Sequence, residues 1–150
     1  MPQPGSRASV VPTPGASADR VPVLLDTTVL IDLLRGRPAA IAGLESLARS
    51  GDRPFTCAVN LEELYRGLRP NEEDAAATLA SGLRLAPLGR AEGALAGSWR
   101  REHAARGETL SQADCLIGAA AAGVGARLAT GNPRHFPMPE LRVEHWVAGA

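Results

Sequence analysis

The sequence predicts an α/β fold: a central, mostly parallel sheet of four to five strands with helices on its faces. Short apolar runs bounded by turn residues alternate with longer segments of helical spacing, the pattern of strands joined by crossover helices. Aromatic residues are 3% of the chain and apolar residues 45%, so the core must be built mainly from Leu, Val, Ile and Ala. The 150 residues suit one domain large enough to bury such a core.

The elements follow in order. Residues 1–20, MPQPGSRASVVPTPGASADR, are rich in Pro, Gly, Ser and Ala without periodicity, and are expected to be a disordered tail ahead of a single domain over 21–150. A GTG codon at Val21 would supply a bacterial start; mass spectrometry of the native amino terminus decides that. Residues 22–25 read as a short buried strand, followed by a helix near 28–35 that Gly36 stops. Pro38 opens a second helix, PAAIAGLESLARSG, ending at Gly51. FTCAV, 55–59, is the second strand, and Asn60 is expected to cap the helix NLEELYRGL. Residues 72–83 are helical and LRLAPL, 83–88, is a possible strand. A long helix over 90–106 closes at Gly107, and Ser111 caps SQADCLIGAAAAGV. ARLAT, 126–130, is a strand, and LRVEHW, 141–146, a last one. There is no internal repeat.

Charge narrows the function little. Sixteen basic residues balance sixteen acidic ones. A strongly basic chain would point to nucleic acid directly; a neutral one leaves it open, because clustered acids mask a basic patch in the total. All the basic residues are Arg, which codon bias in a GC-rich genome explains, although Arg is also the better phosphate fork. Cys57 and Cys115 sit inside apolar stretches and read as buried thiols in a reducing compartment. The three histidines lack metal-binding spacing. No apolar run approaches transmembrane length, and the first segment lacks the apolar region of a signal peptide.

The acids are more informative. Asp26 directly follows the first strand, and in a parallel sheet ligands bind beyond the carboxyl ends of the strands. Glu62 and Glu63 open the helix after the second strand, Asp114 opens a later helix, and Asn132 follows the strand ARLAT. All lie beside a strand end or a helix start, so a parallel sheet can bring them together. Converging carboxylates repel unless a cation intervenes, and carboxylate and amide oxygens are the hard ligands that Mg²⁺ or Mn²⁺ accepts. Each acid also has a plain structural reading. Asn60 to Glu63 and Ser111 to Asp114 have capping-box spacing, Asp26 suits an Asx turn, Asp32 complements its helix dipole, Glu62 faces solvent, and Asn132 before Pro133 is a common turn residue. Position alone leaves both readings open.

Longer stretches carry a resemblance. LLDTTVLIDLLRG, NLEELYRGL, RGETLSQADCLIGAAAAGVGARLATGNPRHF and the closing LRVEHW resemble, in order, the blocks of PIN domains, and more closely the VapC toxins of bacterial toxin–antitoxin pairs. The resemblance covers about residues 22–146 and implies a three-layer α/β/α fold. Asp26 matches the first Asp of that family, Glu63 rather than Glu62 its Glu, and Asp114 its central Asp. Asn132 matches a fourth position often held by Asp, which implies a weaker second metal site. Gly118 stands where Ala is usual. Thr130 resembles a hydroxyl that supports the site, with Thr27 beside Asp26 as a further support, and His135 stands where many relatives have Asp or His.

The resemblance implies a Mg²⁺- or Mn²⁺-dependent endoribonuclease that cuts single-stranded or looped RNA, such as tRNA, rRNA or mRNA. A metal-activated water would attack, leaving a 5′-phosphate and a 3′-hydroxyl. Asp26, Glu63 and Asp114 would hold metal and Asn132 would assist. It further implies a VapB-like antitoxin that silences the site, a homodimer, a toxin–antitoxin hetero-oligomer, and a bacterial cytoplasmic location away from membranes. Arg35, Arg37, Arg66, Arg69 and Arg134 flank the acid-bearing blocks as candidate contacts for RNA phosphates or the antitoxin, against a reading as ordinary solvated surface. Arg100, Arg101 and Arg106 offer another RNA-facing edge on the long helix, whose Trp99 and Leu95 read as core.

Three rivals are separable. Haloacid-dehalogenase-type phosphatases also place an Asp after a strand, but use a second Asp two residues on, where this chain has Thr28, and a Lys, which it lacks. A PIN fold acting on DNA is a second, disfavoured by the short chain. The third is a catalytically weak PIN-fold module that only binds RNA or protein, which the neutral Asn132 keeps open.

Overall fold

The computed structural model describes residues 21–150; the tail expected over 1–20 lies outside the described residues. Five strands form one sheet in the order β3-β2-β1-β4-β5, with every neighbouring pair parallel. The strands are β1 (Pro22–Leu25), β2 (Arg53–Thr56), β3 (Arg84–Leu85), β4 (Arg127–Thr130) and β5 (Val143–His145). The helices are α1 (Thr27–Leu34), α2 (Pro38–Ser50), α3 (Ala58–Arg66), α4 (Glu73–Ser81), α5 (Arg90–Ala105) and α6 (Gln112–Gly123).

From β1 the chain builds outward through β2 to β3, then returns through α5 and α6 to add β4 on the other side of β1. Two strand neighbours whose connections leave in opposite directions splay their following loops apart, opening a crevice between the carboxyl ends of β1 and β4. The same reversal puts the helices on opposite faces, because parallel crossovers keep one hand. The period-2 pattern of the strands serves both faces. Leu24, Phe55 and Leu128 pack with Trp99 of α5 and Cys115, Ile117 and Ala119 of α6. Val23, Leu25 and Ala129 pack with Val29 and Leu30 of α1, Leu47 of α2, Leu64 of α3 and Ala76 of α4. Burying a Leu such as Leu24 or Leu25 contributes about 1.5–3 kcal/mol.

Most expected boundaries hold within a residue or two, and the exceptions have physical causes. The second strand starts before FTCAV, because Arg53 and Pro54 pair with Pro22 and Val23 of β1. It ends at Thr56, so the second half of that apolar run is helix. Asn60 is therefore not the cap of α3. Cys57 holds that position, and Asn60 lies a turn inside, its Oδ1 accepting from the Cys57 N–H at 3.2 Å. The third strand shrinks to two exposed residues at the sheet edge. A 3-10 turn at Pro133–His135, not anticipated, bends the chain after β4.

Small residues on α6 let it approach its neighbours closely. A Cβ on Gly118 would lie 3.0 Å from Leu141 Cδ1 and 3.2 Å from Trp99 Cζ3, which accounts for Gly at this position. Trp99 is buried, as expected, and its indole N–H donates to Glu140 Oε2 at 3.1 Å. Among the described residues no helix is long and apolar enough to cross a membrane.

Candidate active site at the carboxyl ends of β1 and β4

A cleft of about 500 Å³ opens at the crevice between β1 and β4, and Asp26, Glu63, Asp114 and Asn132 all line it. The four come from four separate stretches: the start of α1, the body of α3, the first turn of α6 and the loop after β4. Thr27, Thr28, Ile31, Arg66, Ser111, Ala113 and His135 complete the lining.

Asp26 sits at the floor, 6% exposed. Its N–H donates to Ala129 O at 2.9 Å, completing the β1–β4 ladder. It occupies the cap position of α1 without making a capping side-chain bond, so neither an Asx turn nor a cap accounts for the carboxylate. Instead Thr130 Oγ1 donates to Asp26 Oδ2 at 2.7 Å, Thr28 Oγ1 to the same oxygen at 3.4 Å, and Asn60 Nδ2 to Oδ1 at 3.4 Å. No cation pairs with it among the described residues. Burial pushes the Asp26 carboxyl above its ordinary range, and the negative charges of Asp114 and Glu63 push it further, against the lowering effect of the Thr130 hydrogen bond.

Glu63 lies near the end of α3, not in its first turn, so the capping reading of its spacing fails. Thr27 Oγ1 donates to Glu63 Oε1 at 2.6 Å, and Asn60 Nδ2 donates to Thr27 Oγ1 at 3.1 Å. Arg66 approaches Glu63 only to 3.9 Å and Glu62 to 3.3 Å, in pairs open to solvent and hence weak. Glu62 itself faces water, as expected.

Asp114 does stand three residues after a working cap, and the Ser111 hydroxyl accepts from its N–H at 3.0 Å. That bond uses the Asp114 backbone and leaves its carboxylate in the cleft, 3.6 Å from His135 Nδ1. Both readings of this residue therefore hold at once. Asn132 begins the turn before Pro133, and its N–H donates to Thr130 Oγ1 at 3.0 Å. Thr130, completely buried, thus holds Asp26 with its proton and Asn132 with its lone pair.

Two supports escaped the sequence reading. Asn60, completely buried, ties Cys57, Thr27 and Asp26 together; its disguise was a helix-cap position that the fold moved. Thr28 accepts from the Gly131 N–H at 2.8 Å and so anchors the loop carrying Asn132. Gly131 has no room for a side chain, since a Cβ would lie 2.9 Å from Ala148 and 3.2 Å from Thr28 Oγ1. Asp32 turns away from the site and accepts from the Gly149 N–H at 2.8 Å.

Among the described residues no three His, Cys, Asp or Glu side chains close into a ready-made metal cage. A hard cation that keeps several waters does not need one. The oxygens of Asp26, Glu63, Asp114 and Asn132 are the right donor type, and three of the four residues are carboxylates lining one cleft. The residues present fit a divalent ion.

The PIN domain model matches residues 23–139. Ribonuclease VapC19 of Mycobacterium tuberculosis is 38% identical over 124 residues, 79% of this chain and 96% of that protein. Among solved structures, VapBC2 from Rickettsia felis bound to a promoter DNA fragment superposes with a TM-score of 0.74 at 23% identity, covering 84% of this chain and 99% of that one. DNA-bound VapBC from Salmonella typhimurium gives 0.71 at 25% identity, over 84% and 98%. The five-stranded parallel sheet, its helix-covered faces and the crevice at the β1–β4 reversal are thus the architecture of a known group, and the chain belongs to the PIN-domain family, in its VapC branch.

Proposed function

We propose that the protein is the toxin of a toxin–antitoxin pair, an endoribonuclease that hydrolyses phosphodiester bonds of single-stranded or looped RNA with Mg²⁺ or Mn²⁺. The observation that carries the proposal is the meeting of Asp26, Glu63, Asp114 and Asn132 in one cleft, with Asp26 buried and lacking a cationic partner among the described residues. The 38% identity to a ribonuclease over most of both chains supports the reaction class.

Asp26, Glu63 and Asp114 would hold the cation, with Asn132 assisting. Bound there, it supplies Lewis-acid stabilisation and lowers the pKa of a water. The chain's own residues prepare the site. Thr130 fixes one oxygen of Asp26 and Asn60 reaches the other at 3.4 Å, while Thr27 fixes one oxygen of Glu63. Ser111 fixes the first turn of α6 and hence the approach of Asp114. Such outer contacts orient ligands before a cation arrives.

Residues 21–150 would act as one domain, as a homodimer and in complex with a VapB-like antitoxin, in the bacterial cytoplasm. The VapBC complexes among its structural neighbours support the partner. The test is cleavage of a mixed RNA pool by antitoxin-free protein, with Mg²⁺ or Mn²⁺, with EDTA, and with Asp26→Asn. Cutting that needs metal and disappears in the variant is the expected result. A folded wild type that binds RNA but cuts none in either metal would replace this reading with a binding module.

A further inference from the structure

A second cavity, of about 340 Å³, adjoins the cleft and is lined by Gly131, Asn132, Pro133, Arg134, His135 and His145. Asn132 and His135 line both spaces, so the loop after β4 is a shared wall. His145 reaches it through strand register: it pairs with Thr130, whose hydroxyl holds Asp26.

The lining carries one guanidinium, Arg134, and further hydrogen-bond donors. No carboxylate belongs to it. Glu144, next to His145, turns instead to Arg127 at 2.7 Å and to the Trp146 indole N–H at 2.9 Å. Asp114 meets His135 from the cleft side. The ion pairs of the described residues leave Arg134 unengaged, and Arg134, His135 and His145 are all exposed. A guanidinium offers only donors, and an imidazole offers at least one. No Trp, Tyr or Phe is present to stack a base.

We propose that this cavity holds a backbone phosphate of the RNA one linkage away from the bond that is cut, gripped by Arg134 and His145. The inference rests on the nuclease reading and adds to it a substrate subsite. An anionic segment of a partner protein would meet the same donors. The shared wall favours RNA, because a strand with one phosphate in the cleft carries its neighbouring phosphate into an adjoining space, and Asn132 and His135 line both.

The experiment uses a cleavable RNA in which one linkage at a time is a neutral methylphosphonate. In the wild type, neutralising the linkage beside the cut on one side should lower kcat/KM about tenfold through KM, the scale of a lost charge-assisted hydrogen bond. With Arg134→Gln and His145→Gln combined, the all-phosphate RNA should lose the same factor, and the methylphosphonate should cost nothing more. The slope of log affinity against log salt should fall by about 0.7 for each phosphate contact removed. An equal penalty for the neutral linkage in both proteins, or no penalty at any flanking linkage, overturns the subsite while leaving the nuclease reading standing. Unchanged RNA kinetics with a weakened antitoxin complex would reassign the cavity to the protein partner. If the wild type cuts no RNA, the nuclease reading falls on its own. RNA binding then tests the cavity: equal affinity of wild type and double variant overturns it.

Discussion

Asp52, just before β2, and Glu144, in the middle of β5, share one arginine; at the carboxyl ends of the strands, Asp26, Glu63 and Asp114 share none closely. Arg127 opens β4 and donates to Asp52 at 3.1 Å and to Glu144 at 2.7 Å, while the Val21 N–H donates to the other Asp52 oxygen at 3.0 Å. Burial raises the Asp52 carboxyl, but the Val21 and Arg127 hydrogen bonds outweigh it and hold the group below its ordinary range. Burial also acts on Asp26, whose partners are hydroxyls and an amide, and there it wins. The contrast teaches how to tell a structural acid from a functional one within one sheet. The structural acid has its countercharge in the chain. The acid oriented by neutral donors, Asp26, is the one for which we propose a countercharge from outside.

The largest effect should come from removing the unpaired acids. Asp26→Asn or Asp114→Asn should lower single-turnover RNA cleavage by more than about a hundredfold, beyond the usual cost of losing an outer support, with the circular dichroism spectrum unchanged. Retained activity in either variant would remove that residue from the site. Next comes Thr130→Val, which keeps shape but frees Asp26 Oδ2 and the Asn132 N–H. It should weaken metal affinity, read by titration calorimetry, by about 10- to 100-fold. Wild-type affinity would mean that Asp26 needs no orienting.

At the paired acids the loss should fall on stability instead. Arg127→Ala leaves Asp52 and Glu144 without their shared cation, and should cost about 1–3 kcal/mol in urea unfolding, less than a fully buried broken pair because Glu144 is partly exposed. Cleavage per folded molecule should stay near wild type. A lost cleavage rate in fully folded protein would erase the distinction between the two groups of acids.

The smallest and most diagnostic effect is the pH dependence of stability in EDTA. The folded carboxyl of Asp26 lies above its unfolded value, so its contribution is full at acid pH and declines as pH rises through the folded value. Asp26→Asn should therefore gain on wild type from about pH 4 upward. Asp52 has the opposite sign: its contribution is present above the unfolded value and is lost as pH falls through the folded one, so Asp52→Asn should lose ground as pH rises toward about 4, below the range in which Asp26 acts. Urea midpoints from pH 3 to 8 check both slopes. Parallel slopes would refute the comparison.

Much of this was legible in the chain. The alternation of apolar runs and helical segments determined an α/β sheet, because period-2 and period-3.6 patterns are local properties of sequence. Gly51, at φ 77°, and Pro38, at the first position of α2, marked helix limits by backbone constraint alone. Asp26, Glu63, Asp114 and Asn132 could be singled out because strand ends and helix starts gather at one edge of a parallel sheet, and because their surrounding words resemble a known family.

The tertiary structure decided the rest. FTCAV carries no mark of where strand becomes helix; pairing of Arg53 and Pro54 with β1 set that boundary, and with it moved Asn60 from a cap to the floor of the site. Glu63 and Asp114 share the same capping spacing in sequence, yet only Asp114 follows a cap that forms. Asp52 and Asp26 are both acids beside a strand, and nothing local distinguishes them. What separates them is which residues, 75 and 104 positions away, end up against their oxygens: a guanidinium for one, a hydroxyl for the other. A local pattern can place a charge at an edge of the sheet, but only packing between distant segments determines whether that charge is neutralised from within or left for a ligand.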